Sequence, residues 1–419
     1  MPLLGLSLIE RVILSAREAG IEEFVIVLGY QGKLLSEKLG EGKNYGINLH
    51  YVYNSQYSLG NGTSVLAAKK VLENEERFLL LMADHIVDPE VLKEFLFQKD
   101  KGDSLLLVDK DLERVWDLEE ATKVWVEDSY IRDIGKKIPR YNGVDCGIVL
   151  CTPLIFLALE NSRARGEYSL NAGIKELAKQ RKLKFYPIKE AFWVDVDTWE
   201  ALKFTRKKLL KSLISDRDGM VSRVLNRRIS TQITRFLVRT KLTPDQVSFL
   251  SLITGLFSAF SFGLAFPVFG GVLAQLSSVL DGVDGEIARL KFLRSKYGAF
   301  LEAMLDRYVD ALIILGITYA SYQALPKLEV WILGFFALMG APFSMLAKEK
   351  YEALTGKPYL PYKYDGWFRY LPAGRDGRLF LIMIGGILKQ LVATLAVIAV
   401  VTQVLTIYRL YSVRKLLKE

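Results

Sequence analysis

The chain has 419 residues, 51% of them hydrophobic and 25% charged, with a formal net charge of +9. That length allows two or three domains, and that apolar content excludes a disordered or low-complexity chain. With two cysteines (Cys146, Cys151) and two histidines (His50, His85), a disulfide scaffold, a zinc ribbon and a His-rich centre are excluded, so any metal must be held by carboxylate oxygens. The basic excess suits a nucleic acid or a membrane surface. No zinc-finger or RNP-type pattern occurs and the basic clusters flank apolar segments, so a lipid bilayer is the expected partner and nucleic acid is not.

In chain order, residues 1–205 read as a soluble α/β domain. Apolar runs at Phe24–Tyr30, Arg77–Asp84 and Ser104–Asp109 alternate with helical patterns at Ser7–Ala19 and Ser64–Leu72, which predicts a mostly parallel sheet covered by helices on both faces. Residues 206–241 form a basic linker. There Met220, Val224, Ile229, Ile233 and Phe236/Leu237 recur at near-helical spacing, among Arg223, Arg227, Arg228, Arg235 and Arg239. The pattern predicts an amphipathic helix on an anionic leaflet.

Residues 242–419 carry six long apolar stretches, at roughly 244–266, 269–291, 297–321, 328–347, 376–388 and 390–410; the fifth is short for the roughly 20 residues a bilayer needs. Lys and Arg cluster before the first stretch, at Lys291/Arg294/Lys296, at Lys348/Lys350/Lys357/Lys363 and at Arg409/Arg414/Lys415/Lys418, while the other connections carry only Lys327 and Lys389. This asymmetry predicts a multi-pass membrane protein with the soluble domain and both termini cytoplasmic.

The second and third stretches hold acids where acids are costly: Asp281, Asp284, Glu302, Asp306 and Asp310. Asp281 and Asp284 share a helix face at i,i+3, and Glu302, Asp306 and Asp310 form an i,i+4 stripe. Asp281 and Asp306 each lie about 12 residues from the connection near Arg294, or about 18 Å at 1.5 Å per residue. An antiparallel hairpin would bring the two stripes to one depth, with Gly282, Gly285 and Gly298 expected to allow close backbone approach. Clustered carboxylates need cations, and oxygen ligands suit Mg²⁺, Mn²⁺ or Ca²⁺.

The string Asp281-x2-Asp284-Gly285-x2-Ala288-Arg289-x8-Gly298-x3-Glu302-x3-Asp306 resembles the signature of the CDP-alcohol phosphotransferase family. Glu302 departs from it, standing where the family has a third aspartate. The resemblance implies transfer of a phosphate-linked alcohol from a CDP-alcohol to a second alcohol with release of CMP. It implies that Asp281, Asp284, Glu302 and Asp306 hold Mg²⁺ (or Mn²⁺), with Asp306 also the base. It implies that Asp281, Gly285, Ala288, Arg289 and Gly298, with Thr243 and Pro244 at the first span, face the CDP group. A phosphorylated acceptor would need basic partners, for which Arg307, Lys357, Arg375 and Arg378 are candidates.

In the first domain Gly60-Asn61-Gly62, then Leu81-Met82-Ala83-Asp84-His85, then Trp193-Val194-Asp195-Val196-Asp197 resemble sugar-nucleotide-type nucleotidyltransferases, whose fold is Rossmann-like. The resemblance implies Asp84 and Asp195 as Mg²⁺ ligands and Gly60, Asn61 and Gly62 near the nucleotide. The chain begins Met1-Pro2-Leu3, without the Gly-rich, Arg-containing phosphate loop that opens this family, so impaired triphosphate handling is expected. The order of the two halves resembles the bifunctional inositol-phosphate cytidylyltransferase–phosphotransferase family. That implies CTP and inositol-1-phosphate as substrates of the first half, CDP-inositol and inositol-1-phosphate as substrates of the second, and a homodimer. The alternative is a phospholipid head-group synthase using CDP-archaeol or CDP-diacylglycerol, with a non-catalytic first domain. An ion-coupled transporter would show internal repeats and acids spread over several spans, and neither occurs.

Overall fold

Leu105 and Leu107 side chains bury on one face of strand Ser104–Asp109, and Leu106 and Val108 on the other. A strand reads as continuously apolar when both faces are covered. Around it a six-stranded sheet runs in the order Phe78–Leu81, Gly143–Cys151, Ser104–Asp109, Leu183–Pro187, Tyr130–Gly135, Lys123–Glu127. Helices Leu154–Ala164 and Leu170–Lys179 supply the core of one face, and helices Leu8–Glu18 and Pro89–Leu96 that of the other. Each fully buried Leu or Ile is worth about 1.5–3 kcal/mol. Cys146 and Cys151 are free thiols in these cores.

The computed structural model describes residues 1–98, 102–189, 191–215 and 218–418, and the chain divides into the units Met1–Arg206 and Lys207–Glu419. The sheet is mixed rather than mostly parallel. Strand 104–109 runs parallel to 183–187 and Glu23–Leu28 parallel to Asn48–Tyr53, but 143–151 is antiparallel to both its neighbours. The cause is local: strands 123–127, 130–135 and 143–151 follow one another too closely for crossover helices, so the chain must turn back on itself.

The second unit is helical, built on Pro244–Gly263, Pro267–Leu290, Lys296–Ala324, Leu328–Thr355, Arg375–Ile387 and Leu391–Leu416, called here the first to sixth helices. The first, fourth and sixth are long and apolar enough to cross a membrane. The second and third carry the acidic motif, and the fifth has only 13 residues. The fourth helix runs past its apolar stretch to Thr355 and ends at Gly356, whose φ of 65° suits glycine.

Close helix approach does occur at glycines, though not at the three expected. A Cβ at Gly282, Gly285 or Gly298 would meet only side-chain atoms. A Cβ at Gly316 would lie 2.5 Å from the Ala259 carbonyl, and at Gly386 2.3 Å from that of Pro267. The glycines of the motif are therefore not the packing glycines. Between the first and second helices Ser251 and Ser277 exchange hydrogen bonds, as small polar residues do inside membrane bundles.

The linker forms a π-helical turn at Ser222–Asn226 and a helix at Arg227–Leu237. Its polar stripe turns inward. Buried Glu286 of the second helix accepts from Ser230 Oγ (2.5 Å), Thr234 Oγ1 (2.6 Å) and Arg227 (2.9 Å), and Asn226 bonds Ser278 and Gln275. Met220, Val224, Ile229 and Phe236 face outward, whereas Ile233 and Leu237 pack against Val247, Val283 and Ile287. The helix thus presents a mixed outer side, with Arg228, Arg235 and Arg239 exposed beside Ile229 and Phe236, and is tied down through hydrogen bonds, because Glu286 needs partners once buried.

Candidate functional site

The second and third helices are joined by a short connection. Phe292 adopts φ 56° there, and Ser295 caps the third helix by accepting from the Gly298 amide at 2.8 Å. A Cβ at Gly298 would press on that hydroxyl at 2.9 Å, so glycine is suited to the cap itself. The hairpin brings Asp281, Asp284, Glu302 and Asp306 to line one small cleft, with Ser248 and Ser251 of the first helix on its other side. The free volume is about 10 Å³, on the scale of a single small ion or water. Ser248 donates to Asp284, which also takes the Gly285 amide. Oxygen-only donors around an ion-sized gap fit a hard divalent cation.

Arg375, at the start of the fifth helix, bridges the two sides of the hairpin. Its guanidinium lies 2.7 Å from Asp281, 3.0 Å from Asp306 and 3.3 Å from Asp310. Asp310 stays out of the cleft and pairs instead with Arg378, Arg375 and Arg307, so the four motif acids and not a register shifted by one turn come together. Arg289 lies beside Gly285, whose Cβ position is 3.5 Å from its guanidinium and otherwise open; Ala288 precedes it on the same helix.

Thr243 and Pro244 do not line the cleft. Thr243 caps the first helix in a capping box with Gln246, and Pro244 takes the first helical position, which fixes Ser248 one turn on. Lys357 is exposed beyond the fourth helix and also lies outside the cleft. Sequence reasoning assigned no role to Ser248 or Glu286, although both fall within the motif segments, since their partners Asp284 and the linker helix are met only in the fold.

In the first unit Asp84 follows strand 78–81, and strand His85–Val87 pairs antiparallel with Trp193–Asp195, placing His85 opposite Asp195. Asp84, His85 and Asp195 each present one ligand atom within 4.8 Å of the others. His85 Nδ1 is 2.9 Å from Asp84 and 3.7 Å from Asp195. Burial opposes charge on all three. Burial is the largest single influence at Asp84, but the hydrogen bond and charge of His85 together outweigh it, and the carboxyl falls below its ordinary value. The three surrounding acids outweigh it at His85, which is raised, and burial prevails at Asp195, which is raised. His85 was not singled out from the sequence, although its place next to Asp84 was the available signal.

His85 and Asp195 border a cavity of about 180 Å³ lined also by Asn61, Lys136, Asp145 and Asn171. Burial pushes the Asp145 carboxyl up to about 6, against the Gly147 amide it accepts. Gly60 and Gly62 have a packing reason: a Cβ at either would lie 2.7 or 2.6 Å from the Tyr168 carbonyl. Asn61 accepts from the Leu170 amide at 2.8 Å. The turn is thus welded to the loop before helix 170–179 while Asn61 faces the cavity.

Comparison with known proteins gives the same division. Residues 1–188 match the MobA-like NTP transferase domain and residues 241–408 the CDP-alcohol phosphatidyltransferase model. A bifunctional IPC transferase and DIPP synthase of Rubrobacter xylanophilus is 36% identical, over 92% of this chain and 84% of that protein. Its namesake in Aquifex aeolicus is 34% identical, over 98% and 92%. The solved inositol-1-phosphate CTP transferase from T. maritima is 26% identical, covering 49% of this chain and 83% of that one at a TM-score of 0.45.

Proposed function

Because the chain belongs to the family of bifunctional IPC transferases and DIPP synthases, we propose that its two units carry out consecutive steps of one synthesis. The first joins CTP and inositol-1-phosphate into CDP-inositol, releasing pyrophosphate; the match of residues 1–188 to an NTP transferase domain and the full-length relatives support this step in place of the impairment expected from the sequence. The second transfers the inositol phosphate of CDP-inositol to a hydroxyl of another inositol-1-phosphate, releasing CMP and phosphorylated di-inositol phosphate. The observation that supports the second step most directly is the single cleft lined by Asp281, Asp284, Glu302 and Asp306.

Those four side chains would hold Mg²⁺, or Mn²⁺, which when bound neutralises charge developing on the pyrophosphate. Asp306 takes the proton of the acceptor hydroxyl. That oxygen bonds to the inositol-bearing phosphorus as the bridge to CMP breaks, and CMP leaves with the electron pair. Ser248 holds Asp284 in position. The open face of Gly285 admits the nucleotide, with Arg289 beside it for phosphate. In the first unit Asp84 and Asp195 would hold the metal, His85 orients Asp84, and the cavity beside Asn61 receives the nucleotide. The Lys/Arg distribution supports a cytoplasmic side for the soluble unit and both termini, where CTP is found.

The test is purified protein in detergent with Mg²⁺, CDP-inositol and inositol-1-phosphate, following CMP. We expect CMP release, lost by at least a thousandfold in Asp306→Asn with the folded state intact. Turnover retained in that variant overturns its role. CMP from CDP-archaeol but not from CDP-inositol would make the protein a lipid head-group synthase instead. Pyrophosphate release from CTP and inositol-1-phosphate reads the first unit separately.

A further inference from the structure

Gly282, Glu286 and Arg289 lie at i, i+4 and i+7 on the second helix, along the side turned to the linker. Asp281 and Asp284, on the adjoining side, line the cleft. The azimuth of this one helix therefore decides both where two of the cleft acids point and where Arg289 stands beside Gly285. At 3.6 residues per turn, a slip of one residue turns the helix by about 100°. Apolar packing offers little to choose between such rotations. From Asp281 to Ala288 only Val283 and Ile287 carry large apolar side chains, and helices in lipid gain no hydrophobic drive from pairing.

Polar contacts do discriminate. Glu286 is fully buried and takes donors from three linker residues, Ser230, Thr234 and Arg227. Asp218 grips the far edge of the Arg227 guanidinium, through Nε at 2.9 Å and one terminal nitrogen at 2.8 Å. The other terminal nitrogen meets the second helix, donating to Glu286 at 2.9 Å and to the Gly282 carbonyl at 3.2 Å. Gly282 suits this contact, because a Cβ there would lie 3.2 Å from the same nitrogen and 3.5 Å from Ser230. Turning the helix would strip Glu286 of all three donors and leave a buried carboxylate unpaired, a strongly destabilising state. Arg289 is held far more lightly. It donates to the Leu213 carbonyl at 3.4 Å, and its buried Nε has no partner among the described residues. The rotation of the helix, rather than a partner of its own, sets where that guanidinium stands.

We propose that Glu286 and Arg227 are positioning residues, a rotational key by which the linker helix sets the azimuth of the motif helix. With the key seated, Asp281 and Asp284 are directed into the cleft and Arg289 stands beside the open face of Gly285. Neither residue touches substrate; both act through the helix whose other side chains do. A buried ion pair used in this way contributes register more than stability, which separates a key from a strut. The linker, which precedes the acidic motif in the chain, thereby belongs to the donor site of the second step. This rests on the phosphotransfer reading above.

The experiment compares Glu286→Ala, Glu286→Gln and Gly282→Ala with the parent protein, all carrying Asp84→Asn and Asp195→Asn to silence the acidic cluster of the first unit. Mn²⁺ affinity is read by electron paramagnetic resonance, and KM for CDP-inositol and for inositol-1-phosphate by CMP release, in detergent. Groups that orient the ligands of a metal change its affinity by roughly tenfold to a hundredfold when removed. We expect Glu286→Ala to weaken Mn²⁺ binding by that factor and to raise KM for CDP-inositol alike, with KM for inositol-1-phosphate changed by no more than about twofold. Glu286→Gln keeps an oxygen for the three donors and should recover most of both losses. Gly282→Ala leaves every charge in place and only crowds Arg227, so it should show a smaller loss of the same pattern, and it carries the test if Glu286→Ala does not fold. A lowered melting temperature with Mn²⁺ affinity and donor KM unchanged overturns the proposal, because Glu286 would then be a strut. An equal rise in both KM values overturns it too. Absence of CMP from the parent protein defeats the phosphotransfer reading instead, and the Mn²⁺ comparison still decides the key.

Discussion

Glu10 shows how much one side chain can do at the start of the first unit. It closes a capping box with Ser7, whose amide donates to it at 2.8 Å, and it accepts from Lys38 at 2.7 Å and Tyr45 at 2.9 Å. Burial alone would raise its carboxyl, but these donors outweigh burial and pull it from 4.5 to about 2. A depressed acid stabilises the fold above its unfolded pKa and loses that contribution as pH falls toward the folded one. The window here is about pH 4.5 down to about 2. With Lys38 half exposed, about 2 kcal/mol is a reasonable share. Glu10→Gln is expected to lower the melting temperature of the first unit by about 4–8 °C at pH 7, with the gap closing toward pH 2 in circular-dichroism melts. A gap that stays constant with pH would assign the loss to packing. This role was not legible in the sequence, because Lys38 and Tyr45 reach Glu10 only through the fold.

At the scale of elements, the helices of the second unit follow from the lengths of the apolar runs, and the hairpin follows from the positions of Asp281 and Asp306 about equally far from its turn. Glycine spacing was less informative, because a glycine shows only that a Cβ is absent and not what stands there. Gly386 faces the Pro267 backbone, whereas Gly285 faces open space beside Arg289. The two should therefore respond differently to one added methyl group. Gly386→Ala is expected to cost about 1–3 kcal/mol, since backbone cannot move aside as a side-chain tip can. Gly285→Ala should keep the wild-type melting midpoint and raise KM for the CDP donor. Thermal melts in detergent and donor titrations check both, and equal destabilisation would refute the distinction. The linker helix teaches the same lesson: its arginines read as a leaflet-facing side, yet Arg227 turns inward because Glu286 requires it.

At the scale of the molecule, two acidic clusters serve two units, Asp84 with Asp195 in the first and Asp281, Asp284, Glu302 and Asp306 in the second. If each unit runs its own step, the steps separate by mutation. Asp84→Asn should abolish pyrophosphate release from CTP while leaving CMP release from supplied CDP-inositol within about twofold, and Asp306→Asn should do the reverse. EDTA should stop both, and added Mg²⁺ should restore both. Loss of both steps in either variant would show the two chemistries to be interdependent.

The sequence by itself determined the two-unit plan, the helical class of the second unit and the meeting of its four carboxylates, because helix period and apolar run length are local properties that neighbouring residues set together. Tertiary structure alone decided the partners of Glu286, the pairing of Asp310 with Arg375 and Arg378, and the place of Arg375 between Asp281 and Asp306. Those depend on side chains more than 50 residues apart in the chain meeting across helices, and buried charge settles wherever the fold offers it a partner.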